Sequence, residues 1–237
     1  MAKKASAAPR NGDIERMTTG IPGLDKFLEG GFVKGSTVLL TGGAGTGKTI
    51  FCIQFLLEGL KKGERCLYIT LEESPEDIIN DCARFGWDLE SYLKRGLLTI
   101  EYKDPFEMID VKRAFLDRIA RQKITRVAID STSILGLYFK STFEVRKNLF
   151  QTLQALKKSN ATVVMTAEAP EEGKMLTRFG VEEYITDGVI ILHYMGLGGG
   201  GYHSLQIRKM RRTEHGKDVY PMEITGKGIS IKQPQSF

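Results

Sequence analysis

Cysteine is scarce in this chain of 237 residues, which contains three, Cys52, Cys66 and Cys82. No two of them form a C-x-x-C pair, and this argues against a disulfide scaffold and against a metal site built on cysteines. Two of the three lie inside apolar patterns. We therefore expect buried, reduced thiols and a cytoplasmic protein.

Long hydrophobic runs are also missing. No stretch approaches the roughly 20 apolar residues that a transmembrane helix needs, so we expect no membrane partner. Residues 1–4 lead into alanine, serine, proline and glycine without the apolar segment of a signal peptide. We expect residues 1–15 to form a flexible tail and residues 16–237 to form a single domain.

The chain has no strong excess of charge of one sign. Its 34 basic and 29 acidic residues give a net charge of +5, which suits contact with polyanions without requiring it. Hydrophobic residues make up 41% of the chain and charged residues 27%, as in ordinary globular proteins. Composition thus predicts an ordinary hydrophobic core but does not indicate a function, which has to be inferred from the sequence motifs.

Glycine is plentiful in one segment, Gly42–Thr49, which fits the pattern G-x-x-x-x-G-K-[ST]. A β-branched, apolar run precedes this segment, and apolar residues at helical spacing follow it from Ile50. Its glycines at 42, 43, 45 and 47 allow φ > 0 and bring backbone N–H groups close to phosphate oxygens. The order of strand, loop and helix predicts a phosphate-binding loop rather than a glycine turn that binds nothing.

The residues of this loop have separate predicted tasks. Lys48 is predicted to contact the β- and γ-phosphates, and the Thr49 hydroxyl is predicted to ligate Mg²⁺. ATP and Mg²⁺ are therefore the expected cofactors. The other predicted nucleotide-binding residues here are Gly43, Ala44, Gly45, Thr46, Gly47 and Ile50.

Acidic residues follow two further predicted strands. Residues 66–70 precede Glu72 and Glu73, and residues 124–129 precede Asp130. Because the carboxyl ends of parallel strands share one edge of a sheet, we expect these carboxylates on the same edge as the phosphate loop. A glutamate there can orient the attacking water or merely begin a helix. The aspartate fits the acid that holds Mg²⁺, with a turn cap as the alternative.

Together with residues 18–31, the phosphate loop resembles the opening of the KaiC and RecA/RadA group of ATPases, and more closely the KaiC-like branch. Residues 85–87 and 181–189 also look like that branch, so the resemblance covers residues 16–231, one copy of the domain. It implies an α/β fold with a RecA-like P-loop NTPase core, in which helices flank a mostly parallel sheet. It also implies a C-terminal antiparallel meander, which fits the strand-like runs 189–194, 202–207, 219–224 and 228–231.

The resemblance also points to catalytic residues. In KaiC-like proteins two adjacent glutamates at the place of Glu72 and Glu73 are catalytic. The lysine and arginine of a K-[ML]-R-G-T-x-H segment reach the γ-phosphate bound by the neighbouring subunit, which implies catalytic roles for Lys209 and Arg211. Arg212 replaces the glycine of that segment, which puts its turn geometry in question more than its charge. A charged edge strand in solvent is the other interpretation. The residues that match the segment are Lys209, Met210, Arg211, Thr213 and His215.

Two more contacts are predicted from position in the family pattern. Arg84 falls where the family has a residue near the nucleotide base, although the residue type differs, and a solvated helix residue is the alternative. Thr166 ends a predicted strand, where RecA-like proteins place a polar sensor of the γ-phosphate. A hydroxyl that caps the following turn is the alternative there.

The resemblance implies Mg-dependent binding and slow hydrolysis of ATP by a homo-oligomer, a hexameric ring with ATP sites shared between subunits. Two outputs remain open. One is a regulatory ring that contacts a protein, and the other is a RadA-paralogue-like ATPase that binds DNA in recombination or repair. Autophosphorylation, which the doubled members of the family perform, is also open.

Single-stranded DNA would contact the loops that we expect to face the ring channel, about residues 134–142 and 170–180. Their composition is mixed, because the aromatic residues can either stack on bases or pack in the core, and acidic residues repel phosphate. The loops contain the basic residues Lys140, Lys174 and Arg178, the aromatic residues Tyr138 and Phe139, and the acidic residues Glu171 and Glu172.

Overall fold

A computed structural model describes residues 14–104, 112–135, 141–170, 175–197 and 200–233 of the chain. Several predictions fall on residues outside these ranges. They are the tail up to residue 13 and, in the channel loops, Tyr138, Phe139, Lys140, Glu171, Glu172 and Lys174.

Eleven strands lie in the described ranges. A short antiparallel pair joins β1 (Arg16–Met17) to β2 (Phe32–Val33). The other strands form one sheet and are β3 (Thr37–Gly42), β4 (Arg65–Thr70), β5 (Leu98–Tyr102), β6 (Ile124–Asp130), β7 (Thr162–Glu168), β8 (Gly188–Leu197), β9 (Gly200–Met210), β10 (Val219–Thr225) and β11 (Gly228–Ile231).

The order of strands in this sheet is β11-β10-β9-β8-β3-β7-β6-β4-β5. The strands from β8 to β5 in this order are parallel, with β3 between β7 and β8. Strands β8, β9, β10 and β11 pair antiparallel in succession. The mostly parallel sheet and the C-terminal antiparallel meander that the sequence predicts are thus confirmed.

Helices flank the sheet on both faces. They are α1 (Lys48–Lys61), α2 (Pro75–Ala83), α3 (Leu89–Lys94), α4 (Lys112–Gln122), α5 (Thr142–Lys158) and α6 (Glu182–Ile185), with 3₁₀ turns at Asp25–Leu28 and Thr132–Ile134. Local sequence explains where several begin. Ser74 accepts a 3.1 Å hydrogen bond from the Asp77 N–H, and Pro75 follows at the first helical position of α2.

The alternation of strand residues divides the core into two layers. Val38 and Leu40 of β3 pack in the layer that contains α1, whereas Leu39 between them packs in the layer that contains α5. Phe51 and Phe55 are the large α1 side chains of the first layer. The second layer includes the α5 leucines 149, 153 and 156. Each face of the central strands is therefore buried, as apolar runs in a parallel sheet predict.

The three cysteines are free and buried, as predicted. Burial raises the pKa of the thiols of Cys66 and Cys82 to about 12 in each case, so both are protonated and unreactive near neutral pH. Within the described ranges, no helix is both long enough and apolar enough to cross a bilayer.

Candidate nucleotide-binding site

The phosphate loop joins the carboxyl end of β3 to the first turn of α1. Gly45 and Gly47 have φ values of 71° and 93°, a region that favours glycine. Gly42 and Gly43 differ from their prediction because neither has a positive φ. At Gly42 a side chain is excluded by packing instead, since a Cβ there would lie 2.5 Å from the Leu192 carbonyl oxygen.

Lys48 lies at the start of α1 with its ammonium folded over the loop. Its Nζ donates hydrogen bonds to the carbonyl oxygens of Gly42 and Gly43 at 3.0 and 2.8 Å. Burial lowers the pKa of Lys48, and the charges of Glu168 and Asp130 oppose that shift. The buried Thr46 hydroxyl also donates to the Gly43 carbonyl, at 2.9 Å, and stiffens the loop.

Asp130, the last residue of β6, accepts hydrogen bonds from three hydroxyls. Thr49 and Tyr68 donate to its Oδ2 at 2.7 and 2.6 Å, and Thr166 donates to its Oδ1. Two oxygen ligands of one octahedral Mg²⁺ lie about 3 Å apart, close to the separation between the Thr49 and Asp130 oxygens. This pair therefore fits the first two protein ligands of a magnesium ion.

A small cleft of about 210 Å³ lies beside this pair and contains both predicted glutamates. Glu72 accepts a 2.6 Å hydrogen bond from the Ser131 hydroxyl, which fixes the direction of its carboxylate. The pKa of Glu73 is raised, first by burial and then by the negative charge of Asp130. The structure thus brings Lys48, Asp130 and both glutamates to one edge of the sheet.

Three residues at this site were missed by the sequence predictions. Glu168 ends β7 and lines the same cleft, so the rule that strand ends meet at one edge could have identified it. Ser131 follows Asp130 directly. Tyr68 lies within the apolar run of β4, and nothing in its sequence position distinguishes it from a core residue.

Thr166 differs in part from its prediction. Strand β7 continues for two residues beyond it to Glu168, so the Thr166 hydroxyl does not cap the following turn. The side chain is fully buried, and its hydroxyl contacts Asp130. The contact with a γ-phosphate stays a prediction.

A larger cleft of about 680 Å³ adjoins the loop on its other side, between α1, α2 and the β10–β11 turn. Ile50, Phe85, Trp87 and Ile224 give it an apolar lining of the size that suits an aromatic base. Arg84 also lines it, with a side chain that is 82% exposed and lies 4.0 Å from Asp81. The contact between Arg84 and the base remains a prediction.

The basic segment, residues 209–215, begins at the end of β9. It lies at the amino ends of the parallel strands, opposite the edge that holds the phosphate loop. Lys209 donates from Nζ to the carbonyl oxygens of Glu183 and Thr186 at 3.0 and 2.7 Å. Arg211 pairs with Asp187 at 3.4 Å, and Asp187 in turn accepts a hydrogen bond from the backbone N–H of Thr37.

Thr37 begins the strand that Gly42 ends, and six residues of strand span about 16 Å from first to last. Lys209 and Arg211 therefore lie too far from the phosphate loop of their own subunit to contact a nucleotide bound there.

The other residues of this segment each contact a different part of the protein. The side chain of Met210 is 5% exposed and packs in the core against Gly188, so a nucleotide contact by this residue would involve its backbone. That contact stays a prediction. The Thr213 hydroxyl accepts a 2.9 Å bond from Arg16, and His215 Nδ1 lies 2.8 Å from the Gly216 carbonyl oxygen.

Arg212 occupies the position at which the family pattern has glycine. Its φ is 58°, in the left-handed region where a side chain is strained. Its carbonyl oxygen accepts a 3.1 Å hydrogen bond from Arg16 Nη2, which helps to hold the turn. Arginine at this position therefore adds strain that glycine would not have.

We expect Arg212→Gly to be more stable to denaturant than Arg212→Ala by up to about 1 kcal/mol. Both variants remove the exposed guanidinium, but only alanine retains the Cβ that is unfavourable at positive φ. Urea unfolding of the two proteins measures the difference. Equal midpoints with equal slopes would contradict the strain inferred at this turn.

The class of protein follows from this geometry. A glycine loop between β3 and α1, with a lysine, a hydroxyl and a neighbouring carboxylate at the carboxyl edge of a parallel sheet, defines an ATP-binding P-loop ATPase with a RecA-like core. The chain also matches the family model described as "ATPase: KaiC" over residues 17–236, and it belongs to the KaiC ATPase family.

Two curated relatives, both described as circadian clock oscillator protein KaiC, come from Parathermosynechococcus lividus and Synechococcus elongatus. Each is 37% identical over 229 residues, which make up 92% of this chain and 42% or 44% of the relative. The chain thus spans less than half the length of these curated relatives.

A solved structure, that of a KaiC-like protein from the archaeon Pyrococcus horikoshii OT3, is 37% identical with a TM-score of 0.85. It matches over 93% of this chain and 100% of the other.

Proposed function

We propose that the chain binds ATP with Mg²⁺ and hydrolyses it slowly, as a subunit of a homo-oligomeric ring with a regulatory output. The observation that carries this proposal is the 2.7 Å contact between the Thr49 hydroxyl and Asp130, beside the ammonium of Lys48. Mg²⁺ neutralises phosphate charge when it is bound, and Thr49 and Asp130 are the residues that would hold it.

We assign to Glu72 the role of orienting the attacking water and accepting its proton. It lines the same cleft as Lys48, and the bond from Ser131 fixes its carboxylate. In-line attack breaks the bond between the β–γ bridging oxygen and the γ-phosphorus, while the carboxylate of Glu72 accepts the proton of the water. Lys48 offsets the charge that develops on the phosphate oxygens.

The charges of the small cleft favour a site completed by another subunit. Among the residues that the structure describes, Glu72, Glu73, Asp130 and Glu168 line it together with a single cation, Lys48. A nucleotide adds further negative charge, and hydrolysis requires cations near the γ-phosphate. Lys209 and Arg211 can supply them only from a neighbouring subunit, because they lie at the opposite edge of their own sheet.

A ring satisfies this requirement when each subunit presents its basic edge to the phosphate loop of the next. Such an interface is heterologous, and it closes into a ring if the rotation between subunits divides a full turn. We propose a hexamer of one domain, residues 16–237. The DNA-binding alternative is not favoured, because the family model and the relatives named above are of the KaiC type.

Replacing Glu72 with glutamine should lower ATP turnover by about 100-fold or more while ATP affinity stays the same. Glutamine keeps the shape and an acceptor for Ser131 but cannot take a proton from water. Phosphate release measured beside nucleotide titration separates the two effects.

Two matched variants sharpen that test. Glu76→Gln, in the first turn of α2 and outside the small cleft, should hydrolyse ATP at the wild-type rate. Glu73→Gln should retain more activity than Glu72→Gln. If instead Glu73→Gln is the inactive variant, Glu73 is the general base. If both variants are active, neither glutamate is the base.

A further inference from the structure

Tyr68 is a buried polar residue beside the site to which the proposed mechanism assigns no task. It lies in the middle of β4, is 1% exposed, and its ring packs in the core layer that contains α1. Its hydroxyl donates a 2.6 Å hydrogen bond to Asp130 Oδ2. A tyrosine hydroxyl is protonated at neutral pH, so it donates this bond.

The position of Tyr68 differs from that of the other two donors to Asp130. Thr49 is the residue that would share a metal ion with Asp130, so its hydroxyl has a second task. Thr166 binds the other carboxylate oxygen. The ring of Tyr68 is rigid and packed in the core, so its hydroxyl holds Oδ2 from a fixed position.

A carboxylate at the end of a strand can rotate about its terminal bond, and each rotation changes where its oxygens point. Donors on both oxygens stop this rotation. The partners that orient a metal-holding side chain typically account for 10- to 100-fold in metal affinity or activity, even though they do not touch the metal.

We propose that Tyr68 is a positioning residue that fixes the Asp130 carboxylate in the direction needed to hold the divalent cation of the nucleotide complex. The inference rests on the proposed Mg·ATP function of the site. Tyr68 acts through Asp130 and contacts neither the nucleotide nor the reacting atoms.

The test uses Tyr68→Phe, which removes the hydroxyl and leaves the ring to fill its place. Mn²⁺ serves as the probe cation because the free ion can be counted by electron paramagnetic resonance, in the presence of a non-hydrolysable ATP analogue. We expect the variant complex to bind Mn²⁺ about 10-fold more weakly than wild type. Affinity for the analogue in EDTA should not change, because the loop residues that hold the phosphates are intact.

Tyr220→Phe is the matched control, since Tyr220 is also a buried tyrosine, 2% exposed, but stacks on Phe27 away from the site. It should bind Mn²⁺ as wild type does. Asp130→Asn should lose most of the cation affinity, which verifies that the probe reports this site.

The outcomes separate the two proposals. If Asp130→Asn weakens Mn²⁺ binding and Tyr68→Phe does not, the positioning role of Tyr68 is wrong while the proposed function stands. If Asp130→Asn binds Mn²⁺ like wild type, the magnesium site itself is wrong. A Tyr68→Phe protein that loses analogue affinity in EDTA to the same extent as Mn²⁺ affinity would assign Tyr68 a general packing role and overturn the inference.

Discussion

Replacing Lys48 with alanine is expected to reduce ATP affinity by at least about 100-fold. The half-buried ammonium is a cation among the acidic residues of the small cleft, and each charge-assisted hydrogen bond that it gives a phosphate stabilises the complex by about 1.5–3 kcal/mol. Without it, the repulsion between these carboxylates and the polyphosphate is less well compensated. Isothermal titration calorimetry with ATP and Mg²⁺ measures the loss directly.

Lys61→Ala provides the control for that experiment. Lys61 lies at the other end of the same helix, is exposed, and is remote from the loop. Its removal changes the net charge by the same amount, so a general electrostatic effect on ATP would appear in both variants. Unchanged affinity in Lys48→Ala would refute the assignment of Gly42–Thr49 as the phosphate loop.

The features that sequence could predict are those that depend on neighbours along the chain. The glycine loop is a continuous segment, and its strand and helix follow in order, so its position at the edge of the sheet was predictable. Asp130 and Glu72 were predictable for a related reason. Both follow apolar strands, and the carboxyl ends of parallel strands meet at one edge.

The features that sequence could not predict depend on partners distant in the chain. Arg126 lies in a strand that reads as apolar, yet its side chain is 1% exposed and pairs with Glu64 at 2.9 Å. Its Nη1 also donates to the carbonyl oxygens of Thr18 and Phe55. These partners come from three other segments, so no local sequence pattern could predict that a buried arginine would find hydrogen-bond partners there.

The basic segment was predictable only in part. Its charges and its strand can be predicted from the sequence, but its distance from the phosphate loop of the same subunit cannot. That distance depends on the order of strands, which places β9 within the antiparallel part of the sheet, and Arg211 pairs with Asp187 at the end where Thr37 begins β3. The proposal that a second subunit completes the site therefore rests on the topology of the sheet.

Removal of the Arg211 side chain is expected to lower ATP turnover by about 1,000-fold or more, because an arginine delivered to the γ-phosphate by a neighbour typically contributes that much. The fold should survive. The ion pair with Asp187 involves a guanidinium that is 51% exposed, and such pairs contribute at most about 1 kcal/mol to stability. Arg208→Ala removes an exposed arginine of β9, close in sequence to Arg211, and is the control that should keep its activity.

A mixing experiment then tests whether Arg211 acts on the neighbouring site. Lys48→Ala protein and Arg211→Ala protein, each inactive alone, are combined under conditions of subunit exchange. With random mixing at equal amounts, about a quarter of the interfaces pair an intact phosphate loop with an intact Arg211, so about a quarter of the wild-type activity should return.

The matched control combines Arg211→Ala protein with the double variant that lacks both side chains. Here intact phosphate loops are present but no subunit carries Arg211, so no activity should return. If exchange is verified by native mass spectrometry and the first mixture stays inactive, or if wild-type protein hydrolyses ATP at its full rate as a monomer, Arg211 does not complete a neighbour's site. The basic segment would then be what its local chemistry alone indicates, a charged strand end in contact with solvent.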